Sequence, residues 1–371
     1  MSSAAETSVS TEARTAAAAE PPRTEEAGGR RQRLRDWLAL VVIAAVVVVI
    51  TIVALATGRY AVPPVEVARM LIGQVLPIEQ TWYPQEAATV LDVRMPRVLL
   101  ALLVGGGLAL GGAVLQGVFR NPLVSPQVIG VSAGASFGGV LALVLGLGSL
   151  ALVSGAFLSG LLALVLVLAI ARIGSSSAPL LMVVLGGVVV SALFSALVSL
   201  LSYLADPYRT LPSVTFWLLG SLATASYGKV LVAAVPILAG VAISLALRWR
   251  LNILSLGEED AAALGVPPKA TRNVLLVAVS LITAGAVAVS GVVGWVGLVV
   301  PHICRLIVGS DHRVLLPASL LVGGGYLLLI DTLSRSLTSS ELPLGILTAI
   351  IGAPFFIVLL TRFRKQVWLG D

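Results

Sequence analysis

Residues 210–228 read TLPSVTFWLLGSLATASYG, and the topology of the whole chain turns on them. The stretch has the length of a membrane crossing, yet it carries Pro212, Gly220 and many hydroxyls. If it crosses, every basic loop after it changes side, and RFRK at 362–365 ends up outside. If it dips in and returns, the basic loops stay together. Lys and Arg collect on the cytoplasmic side of membrane proteins, so we read the segment as re-entrant. Irregular backbone at that depth is tolerated only where protein or a water-filled cavity covers it.

Composition sets the frame around this segment. Of 371 residues, 58% are hydrophobic and 11% charged, and the mean hydropathy is +1.03. That is far beyond a soluble globular domain. The net charge of +6 reads as orientation charge for a membrane protein rather than as a nucleic-acid surface. One cysteine, Cys304, excludes an internal disulfide. The 37 glycines suit helices packed closely in a bilayer.

Charged residues are rare enough to act as punctuation. Residues 1–36 are rich in Ala, Ser, Thr and Glu, then basic (GGRRQRLRD), and are expected to form a disordered cytoplasmic tail. The apolar run from Trp37 to Gly58 is longer than a signal-peptide core, so ALA at 54–56 is not read as a cleavage site. It is the first span. Further spans fall between Arg97 and Arg120, twice between Arg120 and Arg172, once between Arg172 and Asp206, at 230–247, twice within 273–311 with GWVG (294–297) as the turn, at 314–330 and at 342–361. The sequence therefore predicts an all-α membrane protein of about ten transmembrane helices, each of roughly 20 residues. With the N-terminus inside, most of the 24 Lys and Arg fall on the inner side, as the positive-inside rule requires. Both termini are then cytoplasmic, the permease domain covers 37–365, and 366–371 form a short cytoplasmic tail.

The same topology places LGEEDAAALGVPPKATR (256–272) in the cytoplasm. Glu258, Glu259 and Asp260 favour a helix N-terminus through the macrodipole. Gly265 suits the C′ position, and Pro267–Pro268 stop the helix. A capped helix on the membrane face is either a docking element or a solvated connector. No G-x-x-x-x-G-K-[ST] motif is present; Gly228-Lys229 has Ala223 where the first glycine belongs and Val230 where Ser or Thr belongs. If ATP drives this protein, another chain hydrolyses it.

Four long stretches resemble one family in order. RMPRVLLALLVGGGLALGGAVLQGVFRNPLVSPQVIGVSAGASFG (94–138), LGEEDAAALGV (256–266), SGVVGWVGLVVPHICRLIVGSDHR (290–313) and DTLSRSLTSSELPLGILTAIIGAPFFIVLL (331–360) are similar to the signatures of FecCD-type permeases of ABC importers for iron–siderophore complexes, haem and vitamin B12. The resemblance covers about 37–365; Met95 and Cys304 are small departures, and the N-terminal tail is extra. It implies a type II importer permease with ten helices per subunit, working as a homodimer or close heterodimer with two cytoplasmic ATPases and an external substrate-binding protein. It also implies that 251–269 is the coupling segment, with Leu256, Gly257, Glu258, Glu259, Ala263, Leu264 and Gly265 contacting the ATPase.

Several residues have two readings. Arg94, Arg97 and Arg335 fall outside; the resemblance makes them docking residues for the binding protein, whereas local chemistry makes them anchors or ion pairs such as Asp331–Arg335. Ser191, Ser195, Ser199 and Ser202 recur along the fifth span and either line the pathway or form a packing seam. FRNPLVSP (119–126) is read as structural and close to the ATPase side. His302 and Cys304 have the wrong spacing for one helix face, His312 is placed in a cytoplasmic loop, and no metal or cofactor site is assigned. No charged residue falls mid-span, so a proton relay, as in a stand-alone secondary transporter, has no candidate. The expected protein is a permease of a bacterial plasma membrane and not itself an enzyme. It imports an iron(III)–siderophore complex, or alternatively haem or vitamin B12.

Overall fold

The computed structural model describes residues 23–58, 60–173, 179–338 and 340–368. Its helices are α1 (Arg23–Ala56), α2 (Pro64–Gly73), α3 (Pro84–Ala87), α4 (Met95–Val118), α5 (Val131–Val144), α6 (Ser149–Ile173), α7 (Pro179–Leu204), α8 (Thr210–Leu218), α9 (Tyr227–Ala246), α10 (Arg248–Leu256), α11 (Glu258–Ala263), α12 (Pro268–Ser290), α13 (Val296–Val308), α14 (His312–Ser336) and α15 (Leu344–Trp368). A π-helical stretch, Ala88–Arg94, joins α3 to α4, so the chain is helical from Pro84 to Val118. Among the described residues, seven helices are long and apolar enough to cross a membrane, and three shorter apolar ones lie at Val131–Val144, Val296–Val308 and Leu344–Val358. These ten correspond to the ten segments delimited by charge.

Glycine decides what sits at the centre. Apolar side chains gain little from leaving lipid for protein, so close backbone packing carries the association. Helix α4 runs VLLALLVGGGLALGG and is buried along most of its length. A Cβ on Gly105 would lie 2.3 Å from the Gly323 carbonyl oxygen on α14, and one on Gly112 would lie 1.8 Å from the Gly297 carbonyl oxygen on α13. Helices α13 and α14 therefore meet α4 at backbone contact, and α12 packs on its glycines through Val279 and Ile282. Helices α1, α7 and α9 lie outside, with valines and leucines such as Val42, Val49, Leu193 and Leu231 exposed, as lipid-facing residues should be.

The segment at 210–228 doubles back. Helix α8 has nine residues, about 14 Å at 1.5 Å per residue, less than half of a ~30 Å hydrocarbon core. Gly220 then turns the chain at φ +78°. The Ser221 N–H donates to the Ser290 carbonyl at 2.8 Å, the Gly220 carbonyl accepts from Leu344 N–H at 2.9 Å, and the Leu219 carbonyl accepts from Gly345 N–H at 2.9 Å. The ends of α12 and α15 thus cover the backbone that lipid could not.

Three boundaries differ from expectation. Helix α1 begins at Arg23, inside the stretch expected to be a disordered tail, because the Arg- and Leu-containing run before Trp37 continues the helix; residues 1–22 lie outside the described residues. Helix α15 extends to Trp368, into the expected C-terminal tail, of which 369–371 lie outside the described residues. The turn between α12 and α13 falls at Gly291–Trp295 rather than at 294–297, with Gly291 at φ +67° and Trp295 at φ +68°.

Candidate functional site

Polar side chains collect at the two ends of the bundle. At one end, α10, α11 and the start of α12 form a ledge against the starts and ends of α4, α13 and α14. Asn252 fixes α10 to α14: its Nδ2 donates to Asp311 Oδ1 at 2.6 Å, and its Oδ1 accepts the His312 N–H at 2.9 Å. Asp311 caps α14 by accepting the Arg313 N–H at 2.8 Å. Partial burial pushes the Asp311 carboxyl up, but the Arg313 amide, Asn252 and the Arg313 charge outweigh that and hold it below the usual carboxylate range. Arg248 donates to the Arg313 carbonyl at 3.2 Å.

Helix α11 sits on this frame. Glu258 pairs with Arg272, whose residue is buried, and so ties α11 to α12. Gly265 takes the C′ position at φ +77°. The Val266 N–H reaches the Ala261 carbonyl at 2.9 Å and the Gly265 N–H reaches the Ala262 carbonyl at 3.0 Å, the two bonds of a Schellman cap. Ala261 and Val266 are buried beneath, while Leu256, Glu259, Ala263, Leu264 and Gly265 face outward. Exposed leucines at Leu256 (62%) and Leu264 (59%) on a capped, ion-paired helix are what a docking face presents. Of the expected coupling residues, Gly257 and Glu258 are half-buried and hold the ledge; the others form its surface.

The loop after α4 joins the same face. Arg120 is exposed at φ +50°, and a Cβ on Gly257 would lie 3.8 Å from its Nη1. Asn121 Oδ1 accepts the Leu123 N–H at 2.9 Å, closing an Asx turn that leaves Pro122 and Leu123 exposed. Below it, Arg305 donates to Gln116 Oε1, and Gln116 Nε2 donates to the Gly297 carbonyl at 3.3 Å. His312, expected in a loop, is instead the first residue of α14 and is buried over Gly117. His302 packs edge-on against Phe355, with ring centroids 6.4 Å apart, and Cys304 is buried. Among the described residues no group of three His, Cys, Asp or Glu is arranged to hold a metal ion.

At the opposite end the arginines do something the sequence did not reveal. Arg94 is buried at 6% exposure and donates to the Leu55, Ala56 and Tyr60 carbonyls. Arg335 donates to the Thr57 carbonyl at 2.6 Å and to that of Ala54. The last carbonyls of a helix lack intrahelical partners, so these two guanidinium groups cap α1 and bind it to α4 and α14. Arg97 forks between two carboxylates: Nε donates to Asp331 at 2.9 Å, while Nη1 and Nη2 donate to Glu341 at 2.8 and 3.0 Å. Asp331 is 1% exposed. Within the chain, Arg94, Arg97 and Arg335 thus bond to backbone carbonyls and carboxylates of neighbouring helices, as the local reading of these residues expects. Their partners are distant in sequence, and a linear pattern shows only the Asp331–Arg335 spacing.

The serines of α7 lie on the outside of the chain. Ser191 is half-buried near Gly130, Ser195 and Ser199 are exposed, Ser199 Oγ donates to the Ser195 carbonyl at 3.0 Å and Ser202 Oγ to that of Val198 at 2.8 Å.

A glycine-packed bundle of ten apolar helices, with a re-entrant segment at one end and a capped ledge at the other, defines a polytopic membrane permease. The chain belongs to the FecCD transport family, which its residues 46–362 match, and it is the permease component of an ABC importer. It is 44% identical over 314 residues to the molybdate import system permease protein MolB of Haemophilus influenzae, covering 85% of this chain and 92% of that protein. It is 43% identical over 275 residues to a protein of Helicobacter pylori described as a probable iron chelatin transport system permease protein, covering 74% of this chain and 83% of the other. The fold matches a solved metal-chelate type ABC transporter in an inward-facing conformation, with a TM-score of 0.77 and 44% identity over 87% of this chain and 98% of that one.

Proposed function

We propose that this permease imports a preformed metal complex, an iron(III)–siderophore chelate in the first reading. It works with a second permease subunit, identical or closely related. Two ATPase subunits dock on the ledge, and an external binding protein delivers cargo at the opposite end. The ledge end is then cytoplasmic, as are both termini, and the protein lies in the plasma membrane of a bacterium. The exposed serine face of α7 lines the pathway where two subunits meet. The observation that carries this reading is the ledge itself: Leu256, Glu259, Ala263 and Leu264 point outward from α10 and α11, with α11 tied to α12 by Arg272–Glu258 and α10 tied to α14 by Asn252. A rigid element fixed to two spans can transmit the movement of a motor; a loose connector cannot.

A second cargo reading is molybdate, favoured because the molybdate permease aligns along 92% of its length, against 83% for the iron-chelate permease. Haem and vitamin B12 are further alternatives of the same class. The test is ATP-dependent uptake into proteoliposomes holding the permease, its ATPase and its binding protein, with radiolabelled ferric siderophore, molybdate, haem and cobalamin in parallel. Uptake of molybdate alone replaces the first reading by the second. ATP-independent uptake by the permease alone removes the importer assignment for this cargo.

A further inference from the structure

A cavity of about 760 Å³ opens between the α5–α6 turn, α8, and the neighbouring ends of α9 and α12. That is within the roughly 300–1,000 Å³ range of small-molecule pockets. Nothing in the transport reading uses it. Its lining includes Lys229, Thr224, Ser226 and Ser221 together with Leu143, Leu147, Leu152 and Phe216.

The polar lining is built of donors. Lys229 Nζ donates to Thr224 Oγ1 at 2.6 Å, Ser226 Oγ accepts the Lys229 N–H at 3.3 Å, and Ser221 Oγ accepts the Ala223 N–H at 3.0 Å. Each hydroxyl already accepts from the chain, and a hydroxyl has one proton of its own to give. Among the described residues no acceptor takes those three protons, and no carboxylate pairs with Lys229. Lys229 also stands in the first turn of α9, a helix of 20 residues, and its ammonium folds back past the N-terminus. There it adds to the positive end of the helix dipole instead of cancelling it. An ammonium and three hydroxyl donors in a cavity also lined by aliphatic and aromatic carbon complement an anionic oxygen group attached to an apolar body.

We propose that this cavity binds the phosphate of an anionic phospholipid, with Lys229, Thr224, Ser226 and Ser221 on the headgroup oxygens and an acyl chain along Leu143, Leu147, Leu152 and Phe216. The apolar lining selects a lipid over a free oxyanion, which has nothing to place there. The bound lipid stitches the re-entrant α8 to the α5–α6 turn.

The test uses the full-length chain purified in mild detergent, titrated with dioleoylphosphatidylglycerol and read by native mass spectrometry. Inorganic phosphate and molybdate are run as separate probes of the same samples. Wild type is expected to retain the lipid. Lys229→Ala should weaken retention on the order of tenfold, since a hydrogen bond to a charged group is worth at least that factor, and Lys229→Arg should restore it. The pair Thr224→Val with Ser226→Ala, which keeps the charge, should weaken it as well, so a folding defect in one variant does not decide the outcome. Equal lipid retention by wild type and both sets of variants overturns the proposal. So does binding of phosphate or molybdate that depends on Lys229 while lipid binding does not, which would make the cavity a free-oxyanion site.

Discussion

Arg97 shows how a single residue changes meaning once its partners are known. Its fork holds Asp331 and Glu341, and Asp331 is 1% exposed. Removing one member of a buried pair leaves an uncompensated charge, typically at ~3–5 kcal/mol. Arg97→Ala should therefore lower the detergent-solubilised melting temperature sharply, and Arg97→Met with Asp331→Leu should recover most of the loss. A melting temperature unchanged in Arg97→Ala would return this arginine to the surface. At the bundle centre Gly112 allows no Cβ, because one would sit 1.8 Å from the Gly297 carbonyl oxygen. Overpacking of that kind destabilises by about 1–3 kcal/mol or more. Gly112→Ala should reduce folded yield by size-exclusion chromatography, whereas Gly146→Ala, where no heavy atom lies within 4 Å, should be limited to the strain of its positive φ.

Among elements, the ledge carries the most specific expectations. Leu264→Asp and Glu259→Arg change its exposed face without touching Arg272–Glu258 or the Schellman cap. Both should abolish ATPase co-purification while leaving the melting temperature within a degree or two of wild type. Intact co-purification in the double variant would make α11 a connector. The frame beneath should respond to acid. Because the Asp311 carboxyl is held below its usual range, its contribution is fully present above the unfolded carboxylate pKa of about 3.9. It is lost as pH falls through the lower folded value. Melting temperature followed from neutral pH downward should drop more steeply below about pH 4 in wild type than in Asp311→Asn. Parallel curves would show that Asp311 does not anchor α14.

For the whole molecule, the decisive prediction concerns sidedness. Helix α8 is too short to cross and its following turn is bonded to α12 and α15. In a Cys304→Ser background, single cysteines at Asp206 and Tyr227 should both react with an impermeant reagent from the same side of the membrane. Labelling from opposite sides would give the chain an extra crossing. The sequence by itself determined the ten apolar segments, because lipid leaves the backbone no partner but its own helix and so excludes charge from the spans. It also pointed to a segment at 210–228 that turns back, through the distribution of Lys and Arg along the chain, and to the cap at Gly265, since glycine and proline act on their immediate neighbours. Only the tertiary structure decided which groups of their own chain the arginines meet. Arg94 meets the end of α1, and Arg97 meets Asp331 and Glu341 far along the chain. Whether such a group faces a partner or its own fold depends on which helices glycine lets approach, and that is a property of packed pairs of helices rather than of any one segment.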